Sequence, residues 1–410
     1  MTQVTRSPHA KAVEAGRDRV GKWYHSGAWR WLKPSGSHRF HTALRLTNLA
    51  SFLFNSSSAL FLLFPVYLQQ QGGSPAQIGL VAGLLRLGSL IARPLGGRLL
   101  DRIGRRRVIG VGVLLALLGI LSLFVFPSIG PVFLVWRVLQ GMGTSFMDSG
   151  LSAVVADLSP PAARARVFAI YTVWINLASA LMPGLGEAII RRAGFFPLFG
   201  VAALTLFLTL LLVLRLPETA RPHAEQPESL RGILTESGPV LLGSLLVGLA
   251  FGTLSTFVPV ARIAASPGRV GMFFFAYSAG LVVVRLAAGL GMNRLANPAM
   301  LLPAYGILAA GLAALPLGHG GLRLVLVGLA CGAAHGVVMP VLYGLLLFGM
   351  PRDRRGWGVA LFAAAYDLGV ILASMGLGAA AEWIGYRGIF GVAAAAVVVG
   401  AALAHIWGRR

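Results

Sequence analysis

The chain has 410 residues, of which 56% are hydrophobic and only 12% charged, with a mean hydropathy of +0.77. No soluble globule hides that much apolar surface, so the composition excludes one and points to a polytopic helical membrane protein. The formal charge of +22 does not indicate nucleic-acid binding, because the basic residues sit in short segments between apolar runs and in the N-terminal tail, with no sustained basic face. The single cysteine, Cys331, lies inside an apolar run, which leaves no disulfide framework and no cysteine-based metal site.

Residues 1–41 are polar and basic, with Lys11, Lys22 and Lys33 interleaved with Trp23, Tyr24, Trp29 and Trp31. Two readings stay open for this tail: a segment lying on an anionic membrane surface, or a disordered basic tail whose Gly and Pro residues interrupt any helix. The first apolar run begins only near Leu44, so no cleavable signal peptide is expected and the tail stays on the protein.

Apolar runs then occupy about 44–68, 77–98, 108–126, 131–156, 167–190 and 196–215, each near the ~20 residues of a spanning helix. The first is unusually polar, with Asn48, Ser51, Asn55, Ser56, Ser57 and Ser58. Such groups would be unsatisfied against lipid, so several are expected to face a hydrated cavity or a neighbouring helix. Residues 216–233 are polar and Pro-rich and read as a cytoplasmic linker. Six further runs follow at about 234–261, 270–292, 299–317, 322–347, 357–379 and 386–406. The expected organisation is an N-terminal six-helix bundle over 42–215 and a C-terminal one over 234–408.

Between the second and third runs stands Gly97-Arg98-Leu99-Leu100-Asp101-Arg102-Ile103-Gly104-Arg105-Arg106-Arg107. A connection this short makes its flanking helices antiparallel neighbours, and its arginines resist transfer across a membrane. Gly97 is suited to close helix approach, Gly104 to a tight turn, and Asp101 to pairing with an arginine or facing a helix N-terminus near Trp357. The spacing resembles the loop between helices 2 and 3 of the major facilitator superfamily of transporters, and the wider resemblance covers about residues 42–408. It implies an all-α membrane fold of 12 transmembrane helices in two pseudo-two-fold-related six-helix bundles. It also implies gating by Gly97, Asp101, Arg102, Gly104 and Arg105, with Asp157 as a charge-relay partner of Arg105.

The halves repeat each other. Arg93, Gly97 and Arg102 align with Arg285, Gly289 and Arg294, an offset of 192 residues, and the same offset pairs Gly184 and Gly186 with Gly376 and Gly378. A register shared by two motifs argues for an internal repeat. Arg98 to Arg107, Arg164, Arg166, Arg215, Arg221, Arg231, Arg294, Arg352, Arg354 and Arg355 fall on one side of the expected topology, which places both termini in the cytoplasm of an inner-membrane protein.

An ionisable side chain at membrane depth is costly unless paired or hydrated, so each is a functional candidate. These are Arg86, Arg93, Arg137, Asp148, Glu187, Arg285, His335 and Asp367. Arg137-Val-Leu-Gln140-Gly141-Met-Gly143 is similar to the superfamily's Arg-x-x-Gln-Gly-x-Gly pattern, which implies proton coupling through Arg137, with Asp148, Glu187, Asp367 or His335 as the group that changes charge. Each also admits a structural reading, as a fixed ion pair or a hydrogen-bonded core histidine. Pro183, Gly184 and Gly186 partly resemble the antiporter signature, with Ala178, Met182 and Glu187 standing where that signature has glycines, and they suit close packing of the fifth and eighth helices. Asn55 and Asn176 are the expected substrate contacts, with Trp174, Tyr343 and Tyr366 as apolar walls; plain packing is the alternative for each aromatic.

No Gly-x-x-x-x-Gly-Lys-Ser/Thr or His-Glu-x-x-His spacing occurs, so neither ATP hydrolysis nor a metal or other cofactor is expected. The expected function is secondary active transport by alternating access, as proton-coupled export of a small organic molecule, whether drug-like, sugar-like or a metabolite. Proton-coupled uptake or facilitated exchange is the alternative, and a non-transporting membrane receptor or enzyme the rival from another class. Expected partners are the substrate, protons and the lipid bilayer, with the chain a monomer.

Overall fold

A computed structural model describes residues 38–126, 129–160, 163–219, 237–261, 269–289, 297–318, 320–348, 350 and 355–407. Most of the expected tail and linker, and Arg294, Arg352 and Arg354, lie outside the described residues. The chain divides at Arg45/Leu46. Of the first unit only the head of one helix is described; the second, Leu46–Arg410, holds everything considered below.

The described regular structure is helical. Helix α1 (His38–Leu60) passes through one tight turn, Phe61–Leu63, into α2 (Phe64–Gln70). Ser74 starts α3 (Pro75–Arg102): its hydroxyl accepts from the Gln77 amide while Gln77 accepts from the Ser74 amide, and Pro75 supplies a preset first residue. Gly104 separates α3 from α4 (Arg105–Val125) with φ of 99°, a conformation that favours glycine, so the turn expected there forms. Then come α5 (Pro131–Leu158), α6 (Arg164–Ala193) and α7 (Phe195–Val213). The second half holds α8 (Gly238–Phe257), α9 (Arg269–Gly289), α10 (Leu301–Ala314), α11 (Gly321–Phe348), α12 (Arg355–Ile371) and α13 (Gly378–Trp407). A wider π-type turn, Leu372–Leu377, joins α12 to α13, and Gly385 (φ 65°) breaks α13.

Among the described residues, ten helical stretches are long and apolar enough to cross a membrane; the last, Trp357–Leu403, is 47 residues long and contains the Gly385 break. Helix α5 is not one of the ten, although its 28 residues suffice in length; it carries Arg137, Asp148 and Asp157. Each of the twelve apolar runs read in the sequence therefore has a helix within its described residues. Outward faces suit a hydrocarbon phase: Leu114, Leu118, Leu121 and Val125 form an exposed apolar stripe along α4, at the spacing of one helix face.

Small residues set how closely the helices pack, and they repeat between the halves. A Cβ at Gly88 of α3 would strike the Val138 carbonyl of α5, and one at Gly141 of α5 the Leu85 carbonyl of α3. In the second half Gly280 of α9 meets the Leu329 carbonyl of α11, and Gly332 of α11 the Tyr277 carbonyl of α9. Gly88 and Gly280, like Leu85 and Tyr277, are 192 residues apart, so the sequence repeat is also a repeat of backbone contacts.

The halves touch along two seams, α6 against α9 and α3 against α12 and α13. A Cβ at Gly271 would come within 2.5 Å of the Gly184 Cα, and one at Gly378 within 3.0 Å of the Gly79 Cα. The approach of the fifth and eighth helices expected from Pro183, Gly184 and Gly186 thus forms, with Gly184 at the crossing and Gly186 against Leu60, Leu63 and Leu198. Gly97 corrects an expectation: a Cβ there would meet nothing within 4 Å, and the tight position is Gly96, facing Phe146 at 3.3 Å. Gly271→Leu should therefore cost about 1–3 kcal/mol by overpacking, whereas Gly97→Ala should change stability by less than about 0.5 kcal/mol. Thermal unfolding of the two purified variants in detergent measures the difference.

Candidate functional site

A cavity of about 210 Å³ lies between the halves. From the first half it is bounded by Asn55, Ser57 and Ser58 of α1, Arg86 of α3, and Arg137, Gln140, Thr144 and Asp148 of α5; from the second by Ser255 and Thr256 of α8, Val370 of α12 and Ser374 of the π-type turn. Of the polar run of the first helix, Asn55, Ser57 and Ser58 thus reach the cavity, where polar groups avoid lipid, whereas Ser56 donates to the Phe52 carbonyl and Asn48 Oδ1 is buried without a partner. Part of that wall is internally tied: Asn55 Nδ2 donates to the Ser51 carbonyl at 2.8 Å, and the Thr256 and Ser374 hydroxyls meet at 3.0 Å.

Beside the cavity sits a four-charge group. Asp367 of α12, its side chain 1% exposed, accepts from Arg93 Nε of α3 at 2.6 Å, while Arg86 Nη1 stands 3.9 Å from its other oxygen. Arg86 and Arg93 are seven residues apart, two turns along one face of α3, which brings both guanidinia to the same acid. Asp148 lies within electrostatic reach of Arg93, Arg86 and Asp367. It is exposed to the cavity and has no hydrogen-bond or ion-pair partner among the described residues. Arg285, related to Arg93 by the repeat, has no acid within ion-pair distance among the described residues, and its Nε is buried without a hydrogen-bond partner. Among the described residues the ion pair that Arg93 makes across the halves is therefore not repeated at Arg285.

Arg137, only 5% exposed, differs from its expected arrangement. Its Nη1 donates to Gln140 Oε1 at 2.6 Å, and its guanidinium lies over Phe64 and Phe61, 4.9 and 5.8 Å from the ring centroids. No acid pairs with it among the described residues, because the carboxylates expected to do so are held or placed elsewhere. The rings supply a cation–π surface in place of an anion.

Glu187 is one of those acids. Its two oxygens accept from the Gly271 and Val270 amides, at 2.7 and 3.3 Å, capping the N-terminus of α9 in the other half. Glu382 of α13 accepts from the Ala76 amide at 3.0 Å, capping α3 in return. Each half thus places a carboxylate on the positive end of a helix in the other. Both caps lie at the end of the molecule away from the Gly97–Arg107 loop, where Gln69 Nε2 also donates to the Val260 carbonyl at 3.2 Å.

At the loop end, Arg105 bridges Asp101 (2.6 Å) and Asp157 (3.3 Å), the relay that the resemblance implied. Asp101 thus faces Arg105 rather than the head of α12, and Arg102 ends α3 exposed. Sequence reasoning missed Glu218, placed in the expected linker: its carboxylate accepts from the Arg105 and Arg106 amides at 2.6 and 3.3 Å, covering the Gly104 turn. Its signal was faint, one of three acids, with Glu225 and Glu228, in a linker opposite a basic loop.

Other expected contacts scatter. Among the substrate candidates Asn55 lines the cavity, whereas Asn176, Trp174, Tyr343 and Tyr366 do not. Trp174 packs edge-on against Phe52, Tyr343 against Phe362, and Tyr366 against Phe251 and His335. His335 is a core histidine sharing a hydrogen bond with the Tyr277 hydroxyl.

A polar cavity enclosed by helices of two repeated halves is the architecture of a membrane transporter rather than an enzyme. The chain belongs to the Major Facilitator Superfamily, whose sequence pattern matches residues 46–356. It is 22% identical over 374 residues to the staphylopine export protein of Staphylococcus aureus (strain Mu50 / ATCC 700699), covering 87% of this chain and 93% of that protein. It is 27% identical over 222 residues to the quinolone resistance protein NorA of Staphylococcus aureus (strain MSSA476), covering 51% of this chain and 56% of that one. Among solved structures, a D-xylose-proton symporter superposes with a TM-score of 0.70 at 17% identity, over 89% of this chain and 97% of that one. At that identity the likeness is one of fold.

The two carboxylate caps are expected to hold their end together. In a Cys331→Ser background carrying spin labels at Gln71→Cys and Trp383→Cys, one in each half, Glu187→Ala with Glu382→Ala should lengthen the label distance. An unchanged distribution would show that the glycine seams alone suffice.

Proposed function

We propose that this transporter exports a small organic molecule by alternating access, driven by protons, from the cytoplasmic membrane with both termini and the Gly97–Arg107 loop on the cytoplasmic side. The Arg93–Asp367 pair carries this reading. It joins helices of opposite halves at the edge of the cavity, so any rocking of the halves must make or break it. A proton on Asp367 would remove the attraction that ties α3 to α12, and substrate in the cavity would bias the same equilibrium, which is the reciprocity that coupling requires. Support for the export direction comes from the likeness to the staphylopine export protein, and the arginines gathered at the loop end support the cytoplasmic placement of that loop. In this reading Arg137 is a fixed, aromatic-backed wall of the site, while Asp367, ahead of Asp148, Glu187 and His335, is the group whose charge changes.

Asp367→Asn should abolish transport driven by an imposed pH gradient in proteoliposomes while sparing exchange of substrate for substrate. Retention of gradient-driven transport by Asp367→Asn, Asp148→Asn, Glu187→Gln and His335→Gln alike would favour a sodium-coupled or uncoupled carrier. Asp101→Asn removes one of the two acids bridged by Arg105 and should reduce the transport rate while leaving insertion and thermal stability near those of the parent. Normal turnover would remove the loop from the gating cycle.

A further inference from the structure

The cavity contains opposite charges that do not satisfy each other. Arg86 has 32% of its side chain exposed, and its nearest acid contact is a long 3.9 Å to Asp367, whose closer bond goes to Arg93. Asp148 faces the same cavity without a hydrogen bond or ion pair among the described residues. Charges in an enclosed space are costly unless a partner or water meets them. Here the protein has supplied partners for Arg93, Arg105, Asp157, Glu187 and Asp367 and has left Arg86 and Asp148 to the cavity.

We propose that the site binds an amphoteric molecule, its carboxylate on Arg86 and its protonated amine on Asp148; this rests on the transport reading and names its substrate class. The guanidinium offers a planar pair of donors matched to a carboxylate, and the free carboxylate offers an ammonium several acceptors. Asn55, Thr144, Ser255 and Thr256 stand around the wall for further hydrogen bonds, and Phe54, Phe61 and Leu85 add apolar surface to the same wall. Arg137, also at the wall and paired with no acid, makes the lining net positive by one charge when Asp148 is ionised. The site therefore discriminates against net cations and accepts neutral zwitterions or molecules with an additional acid.

Binding is tested without any gradient, by titration calorimetry of the purified full-length protein in detergent. The probes share one scaffold: 4-(aminomethyl)benzoic acid, p-toluic acid and 4-methylbenzylamine. The amphoteric probe should bind about 10- to 100-fold more tightly than either single-charge probe, the range expected for a second charge-assisted contact. Arg86→Gln should erase its advantage over the amine, and Asp148→Asn its advantage over the acid. Arg86→Lys, which keeps the charge but not the planar pair of donors, should fall between parent and Gln and guards against a folding defect. Equal binding of a single-charge probe, an unchanged ranking in both neutralised variants, or no binding by any probe overturns the assignment. Calorimetric binding that fails to become pH-driven transport in vesicles would instead overturn the export reading and leave the substrate class standing.

Discussion

An ionised carboxylate with 1% of its side chain exposed can persist among apolar helices only where a cation meets it closely, and removing one partner of such a pair costs roughly 3–5 kcal/mol. Arg93 meets Asp367 at 2.6 Å, and the partners come from helices of opposite halves. The contact does two things at once. It satisfies a charge, and it joins the two halves beside the polar cavity. Arg86 and Asp148 stand within electrostatic reach of this pair, one guanidinium at a distance from the second carboxylate oxygen too long to satisfy it and one acid left open, while Arg137 is held separately by aromatic rings and Gln140.

Beside this buried ion pair stand contacts with almost no polarity. Within each half, glycines let α3 cross α5 and α9 cross α11 at backbone distance; between halves, Gly271 lies against Gly184 and Gly378 against Gly79. In a hydrocarbon phase apolar burial does not drive helices together, so close van der Waals approach and backbone contact must do so. The glycines are therefore structural necessities. The seams close at the end where Glu187 and Glu382 cap helices of the opposite half. At the other end Arg105 links Asp101 and Asp157 of the first half, and Glu218 of the linker covers its backbone.

The sequence by itself determined the helical class, the internal repeat and the loop chemistry. Apolar length, the 192-residue offset and the Asp101–Gly104–Arg105 spacing are local or periodic signals, and helix formation in a membrane is a local property because every backbone group must be satisfied within its own segment. It also named nearly every buried charge, since such residues are rare in apolar runs. What only the tertiary structure decided was their pairing. Arg137 and a carboxylate were natural partners by charge, yet Asp367 belongs to Arg93, 274 residues away, Glu187 belongs to backbone amides of α9, and Arg137 rests on Phe61 and Phe64. Pairing depends on which faces of which helices meet, and a rotation of one residue, about 100° on a helix, moves a side chain from cavity to seam. For the same reason Asn55 reached the cavity while Asn176 and Trp174 did not: composition states that a polar or aromatic residue needs a partner, and only packing says which.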